Sequence, residues 1–139
     1  MHLEKYDLTI PTDISDKRIL DYGCGNGNLI DSNNISPNLY TGLEIDKSAY
    51  RYCVDTYPDY TFVYQDLHSE VYNKNGTETL PTLNDRYDII FAYSVFTHTT
   101  YEYFLQCVDV FKSCLNKGCL LYTSPSPRDA HESRMPSSA

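Results

Sequence analysis

The run R-I-L-D-Y-G-C-G-N-G-N at residues 18–28 constrains this chain more than any other stretch of it. Ile19 and Leu20 are apolar, Asp21 closes the run, and glycine then takes every second position, at Gly23, Gly25 and Gly27. A buried strand that ends in such a loop brings backbone N–H groups close to a ligand, because glycine has no Cβ to block the approach. A helix starting next turns its positive N-terminal end to the same point. A small side chain is needed between the glycines, which accounts for Cys24 better than nucleophilic chemistry does. Alone, such a loop is a weak signal; its value depends on which residues stand downstream of it at set distances.

In a nucleotide-binding α/β fold the second strand ends in an acidic residue about 20 positions downstream, which reaches the ribose hydroxyls. Here L-Y-T-G-L-E-I-D offers Glu44, 19 positions past Gly25. A third extended run, 60–64, leads into Gln65-Asp66-Leu67, and a fourth, Y-D-I-I-F-A-Y at 87–93, leads into Ser94-Val95-Phe96-Thr97-His98. The order predicts an α/β chain: strand with glycine loop, two strands each ending in an acid, and a strand with a polar exit.

In these residues the chain resembles the class I S-adenosylmethionine-dependent methyltransferases. D-Y-G-C-G-N-G looks like their first motif, G-L-E-I-D like the acidic end of their second strand, and Q-D-L like the residues at the adenine. Y-D-I-I-F-A-Y-S-V-F-T-H resembles their fourth strand with its active-site exit, so the likeness covers roughly residues 17–118. It implies a Rossmann-like, doubly wound sheet and S-adenosyl-L-methionine as cofactor. On that reading Asp21 and the backbone around Gly23 and Gly25 hold the methionine part, with Cys24 and Gly27 in the same loop. Glu44, followed by Ile45, takes the ribose hydroxyls; Asp66 and the backbone of Leu67 hold the adenine; Tyr93 and Ser94 border the methyl group. The implied reaction is in-line methyl transfer to an O, N, C or S atom of a small-molecule acceptor. His98 is the one candidate base, and equally a histidine at the start of a helix. The chemistry does not require a base: holding reactants together supplies up to roughly 7–11 kcal/mol, against about 10²–10⁴-fold from a general base.

One spacing separates this loop from that of a dinucleotide dehydrogenase, which has G-x-G-x-x-G with the third glycine packing helix on strand. Here the third glycine comes one position early and Asn28 stands in its place, which favours adenosylmethionine. An NAD(P)-binding domain remains the alternative, and a non-catalytic fragment of the same fold a third reading.

At 139 residues one domain is expected. The net charge of −8, with Lys and Arg scattered singly, makes a nucleic-acid backbone a poor partner. Five cysteines are odd in number and form no C-x-x-C pair, which reads as free thiols in a reducing cytosol. No His/Cys/Asp cluster has metal-ligand spacing, so no metal is expected. Residues 1–17 hold no secretory signal, and the longest apolar stretch, 89–96, is far short of a membrane span. The expected location is cytoplasmic.

Between and beyond the strands, residues 28–34 allow only a short helix, which leaves one face of the sheet thinly covered. Asp46 caps a clearer helix over 47–57, with Ala49, Tyr50, Cys53, Val54 and Tyr57 on one face and Pro58 as its stop. Tyr57 and Tyr60 read as core and rim aromatics. Residues 67–85 are turn-rich; the resemblance implies a short helix and loop there beside the adenine, and His68 reads as a solvated loop histidine. Thr99 to Glu102 forms a capping box for a helix with Tyr101, Phe104, Leu105, Val108, Phe111 and Leu115 at helical steps. Lys112 and Lys117 suit its end, and Gly118 terminates it. Beyond this, C-L-L-Y-T-S-P-S-P-R-D, three intervening residues and S-R-M-P-S-S-A closely resemble the in-frame translation of a transposon-type sequencing adapter. Residues 1–118 are therefore read as a partial methyltransferase domain and 119–139 as a non-native tail. The resemblance implies seven strands, of which the sixth and seventh are missing, while 119–123 is apolar enough to imitate the fifth.

Overall fold

The computed structural model describes residues 9–10, 13–93 and 99–124, with backbone alone at 93 and 117–124. Five strands form one sheet: β1 (Ile19–Tyr22), β2 (Tyr40–Glu44), β3 (Thr61–Tyr64), β4 (Tyr87–Tyr93) and β5 (Leu115–Ser124). Their order is β3-β2-β1-β4-β5 and every pairing is parallel. This is the expected α/β arrangement. β1 lies at the centre, with Ile19 opposite Tyr40 on one side and Ile89 on the other. All four of its residues are buried, as a parallel strand covered on both faces requires. Chain order reverses across β1, with β2 on one side and β4 on the other. The crevice at the carboxyl ends of these strands is where open α/β sheets place ligands.

Side chains alternate along β1, so Leu20 and Tyr22 enter one face and Ile19 and Asp21 the other. The first face is covered by α3 (Tyr101–Cys114), which buries Phe104, Cys107, Val108, Phe111 and Cys114. Tyr22 meets Phe111 edge to face at 4.9 Å. The expected stripe is thus rotated: Tyr101 and Leu105 are 42% and 41% exposed, and the two cysteines take the core positions. The cap is one residue later than the spacing predicts, with Thr100 Oγ1 accepting from Tyr103 N at 3.1 Å. The helix also ends earlier, at Cys114, so Lys117 and Gly118 lie in β5 rather than at the helix end. Arg86 reaches this end, its guanidinium donating to Ser113 O at 3.3 Å and Leu115 O at 2.8 Å. A cation there satisfies terminal carbonyls and suits the dipole.

The other face carries α1 (Asn28–Ser32) and α2 (Lys47–Thr56). α1 has only five residues, as the sequence predicts, and Ile10, Ile14 and Ile35 pack beside its Leu29 and Ile30 to fill the face. Asp46 caps α2 through Ser48 N at 3.0 Å. Ala49 and Cys53 are buried, but Val54, expected on the same face, is 42% exposed. Tyr57 and Tyr60 join Tyr40 and Phe62 in an aromatic cluster with centroids 5.5–6.3 Å apart. Residues 67–85 form no helix; two isolated bridges, Leu67 to Thr77 and Ser69 to Asn73, organise the first part of this segment. Among the described residues no helix is long and apolar enough to cross a membrane.

Candidate cofactor site

The glycine loop leaves β1 with φ of 75° at Gly23, 56° at Gly25 and 82° at Gly27, a region other residues adopt only at a cost. Gly23 N and Cys24 N both donate to Leu43 O, at 2.7 and 3.1 Å, which folds the loop back onto the end of β2. There it meets Glu44. Gly25 N donates to Glu44 Oε1 at 2.8 Å, while Ile45 N and Asp46 N donate to Oε2 at 3.1 and 2.9 Å. Burial pushes the Glu44 carboxyl up, and the N–H bonds from Asp46, Gly25 and Ile45 oppose the rise. The glycines differ in what surrounds them. A Cβ on Gly27 would lie 2.4 Å from the Tyr57 ring, so that glycine makes room for the end of α2. A Cβ on Gly25 would meet no atom within 4 Å, so the space over that residue is open.

Asp21 points to the opposite side of β1 from Tyr22 and is 4% exposed. Its carboxyl accepts from Tyr40 Oη at 2.7 Å. Burial raises it to about 7, against the lowering effect of that hydroxyl, and the charge of Glu44 adds to the rise. Cys24 is buried, its thiol pushed up by the hydrogen bond to Cys53, by burial, and by the charges of Asp21 and Glu44. Cys53 in turn donates to Gly25 O at 3.1 Å. A thiol so held is a packing group, not a nucleophile.

A cleft opens at the carboxyl ends of β1, β2 and β3. Its floor is Tyr22 of β1 with Gly23 just beyond it, and Leu43 of β2 with Ile45 just beyond that strand. Leu67, His68, Ser69 and Tyr72 form a wall after β3, and Thr99 and Tyr103 close the α3 side. The wall is tightly built. Asn73 Nδ2 donates to Asp66 Oδ1 and to Leu67 O, both at 2.8 Å. Thr77 donates to Asp66 O through its backbone N–H and its hydroxyl, both at 2.8 Å, and His68 N donates to Thr77 O at 2.8 Å.

The sequence profile of a family described as a methyltransferase domain matches residues 3–137. The chain belongs to this methyltransferase family. Protein 235L of Invertebrate iridescent virus 6, named as a candidate methyltransferase, is 28% identical over 81 residues, covering 57% of this chain and 26% of that protein. The crystal structure of Streptomyces venezuelae DesVI aligns with a TM-score of 0.59 at 21% identity, over 77% of this chain and 42% of that one. SAM-bound CalS10, an amino pentose methyltransferase from Micromonospora echinaspora, aligns with a TM-score of 0.61 at 19% identity, over 79% and 43%. The chain thus spans about a quarter to under half of these relatives. Membership of this methyltransferase family decides the fold type against the dinucleotide-binding alternative.

Within this methyltransferase domain the structure brings Gly23, Ile45 and Leu67 to one cleft and joins Gly25 to Glu44 by a hydrogen bond, although neither of these two lines that cleft. Asp21 lies behind the loop, on the face opposite Tyr22. Asp66 is exposed at the foot of the wall, its carboxylate engaged by Asn73 and, at 3.4 Å, by Tyr64. Tyr93 ends β4, with only its backbone described, and Ser94 and His98 lie outside the described residues. Sequence reasoning missed Tyr22, Leu43, His68, Ser69, Tyr72, Thr99 and Tyr103 as lining residues. Tyr22 was within reach of it, since alternation on β1 sends Tyr22 to the face opposite Asp21. His68, read as a solvated loop histidine, is half-buried in the wall.

Proposed function

We propose that this chain is the cofactor-binding part of an S-adenosylmethionine-dependent methyltransferase that acts on a small-molecule acceptor. The observation that carries the reading is the Glu44–Gly25 bond, which ties a carboxylate to a glycine whose outer face is open. A cationic ligand with a ribose and an adenine fits these residues: a charge at Glu44, room over Gly25, and apolar surface at Leu43, Ile45 and Leu67. The bound cofactor would supply a methyl group on a sulfonium, open to in-line attack. Glu44 would hold the ribose. Its three N–H bonds use three of about four acceptor positions. One hydroxyl can therefore be accepted directly, and a second requires an N–H bond to open. Asp21 would support the loop from behind, and Gly23 and Gly25 would offer backbone to the methionine part. The family's structural neighbours include an amino pentose methyltransferase and the plantazolicin methyltransferase BpumL, which supports an acceptor of small-molecule size.

The test is calorimetric titration of the chain with S-adenosylhomocysteine, with NADH in parallel. Binding of the first and not the second is expected. A charge-assisted hydrogen bond contributes about 1.5–3 kcal/mol, so Glu44→Ala is expected to weaken binding roughly tenfold or more. Affinity for NADH alone would overturn the reading, and unchanged affinity in Glu44→Ala would remove that residue from the site. The reading of 119–139 as a non-native tail stands as a proposal on its adapter-like sequence. β5 does not decide it, because an apolar extended stretch suffices to pair in parallel with β4. Sequencing of the gene downstream of the codon for Gly118 would.

A further inference from the structure

Gly25 is the loop residue with open space where a side chain would stand, and it is held at both of its backbone polar groups. Its N–H donates to Glu44 Oε1 at 2.8 Å, at the end of β2. Its carbonyl accepts from Cys53 Sγ at 3.1 Å, on α2. A carbonyl has no proton to give, so the thiol proton of Cys53 lies on this bond. Cys53 is 0% exposed, which keeps the bond away from competing water. The helix end that carries the thiol is itself fastened to the loop and to α1. One turn past Cys53, the Tyr57 ring lies over Gly27, Tyr57 Oη donates to Asp31 Oδ1 at 2.8 Å, and Tyr57 N donates to Cys53 O at 2.8 Å. At φ 56° Gly25 has no side chain to restrict it, and glycine takes either sign of φ with similar ease. Its conformation therefore depends on the bonds at its two ends.

We infer that Cys53 is a positioning residue for the cofactor, acting through the carbonyl of Gly25. Glu44 fixes the amide end of Gly25 and Cys53 the carbonyl end, so the residue is set before a ligand arrives. Without the thiol donor the carbonyl end turns more freely, and a ligand over Gly25 has to freeze that motion on binding, which weakens it. The inference rests on the cofactor reading and adds a buried residue from outside the loop that tunes its affinity.

The experiment compares Cys53→Ala, which removes the donor, with Cys53→Ser, which keeps one. Two readouts are taken on the full chain: NMR amide exchange without ligand, and calorimetric titration with S-adenosylhomocysteine. In Cys53→Ala the Gly25 amide should exchange about 2- to 10-fold faster relative to that of Leu20 in β1. A merely structural role would speed both amides alike. The same variant should bind S-adenosylhomocysteine about 2- to 10-fold more weakly, and Cys53→Ser should restore both properties. If Cys53→Ala does not fold, Cys53→Val, also without a donor, is read in its place. Unchanged relative exchange at Gly25, unchanged affinity in the donorless variant, or Cys53→Ser behaving like Cys53→Ala would each overturn the inference and leave the cofactor reading intact. No binding of S-adenosylhomocysteine by the unsubstituted chain would overturn both.

Discussion

Replacing Asp21 by Asn tests whether the strand beneath the loop carries a buried, proton-holding acid. Asp21 is 4% exposed, and a single hydroxyl, from Tyr40, is the side-chain donor bonded to it. Its carboxyl moves from 3.8 to about 7, chiefly through burial. A carboxyl raised in the folded state stabilises the fold fully below its unfolded pKa. That stability is lost as pH rises through the folded value, because the native state then holds the extra proton. Roughly a thousandfold in proton affinity corresponds to ~4 kcal/mol over the whole range, of which about 2.5 kcal/mol is lost between pH 5 and pH 8. Asn has the shape of the protonated acid, keeps an acceptor for the Tyr40 hydroxyl, and never charges. Asp21→Asn is therefore expected to exceed the parent by roughly 1.5 kcal/mol at pH 5, where the unfolded acid has already ionised, and by roughly 4 kcal/mol at pH 8, a widening of about 2.5 kcal/mol. Glu44 is also raised, so a residual slope of the same sign persists in both chains and cancels in the difference. Urea unfolding at the two pH values measures this directly. Parallel stability curves for the two chains across that range would refute the buried-acid account.

The same geometry gives two further outcomes. Gly25→Ala and Gly27→Ala share a left-handed backbone but differ in surroundings. The first should cost about 1–2 kcal/mol of stability from φ alone, while weakening S-adenosylhomocysteine binding, since its Cβ fills the open space. The second should cost ~2–4 kcal/mol because it also strikes the Tyr57 ring. Denaturant melts with titrations separate the two effects, and equal stability losses would sink the distinction. Arg86→Ala should cost about 1–2 kcal/mol in a urea melt by leaving the carbonyls of Ser113 and Leu115 without their cation; a change under 0.3 kcal/mol, roughly the scatter of such comparisons, would return the helix stop to local sequence.

What the sequence made legible were features whose cause is local. Three alternating glycines after an apolar strand, Asp46 two residues before the N–H it caps, and the brevity of α1 depend on neighbours a few positions away. Spacing carried further: Glu44 stands 19 positions from Gly25, and the two meet in one hydrogen bond. What escaped were features set by distant residues. α3 ends where Arg86, 27 and 29 positions upstream of Ser113 and Leu115, donates to those two carbonyls, and Lys117 and Gly118, which the local pattern assigns to the helix end, lie in β5. Of two successive threonines, either can cap by its spacing, and the structure uses Thr100. Periodicity likewise marks the apolar stripes of α2 and α3 but not their edges, so Val54, Tyr101 and Leu105 fit the stripes by spacing yet lie exposed. The wall of the cleft was least legible: its turn depends on one amide, Asn73, binding Asp66 and Leu67 together across a run of polar residues with no periodic signal.

Asp21 and Glu44 sit on neighbouring strands at nearly the same burial, 4% and 6% exposed, yet they are not equivalent acids. Desolvation raises both. The difference lies in donors. Glu44 receives three backbone N–H bonds, each of which favours the carboxylate, whereas Asp21 receives one phenolic hydroxyl. Two carboxylates that feel each other's charge do not both ionise readily, and the one with fewer donors takes the proton. The donors therefore favour negative charge at Glu44, beside the open space over Gly25, while burial holds Asp21 toward its protonated form, where it braces β1 against β2 through Tyr40. A cationic ligand at the loop would meet its counter-charge in Glu44. The first-motif aspartate would act on that ligand only through the strand it supports, and that assignment comes from donor count and not from the order of residues in the motif.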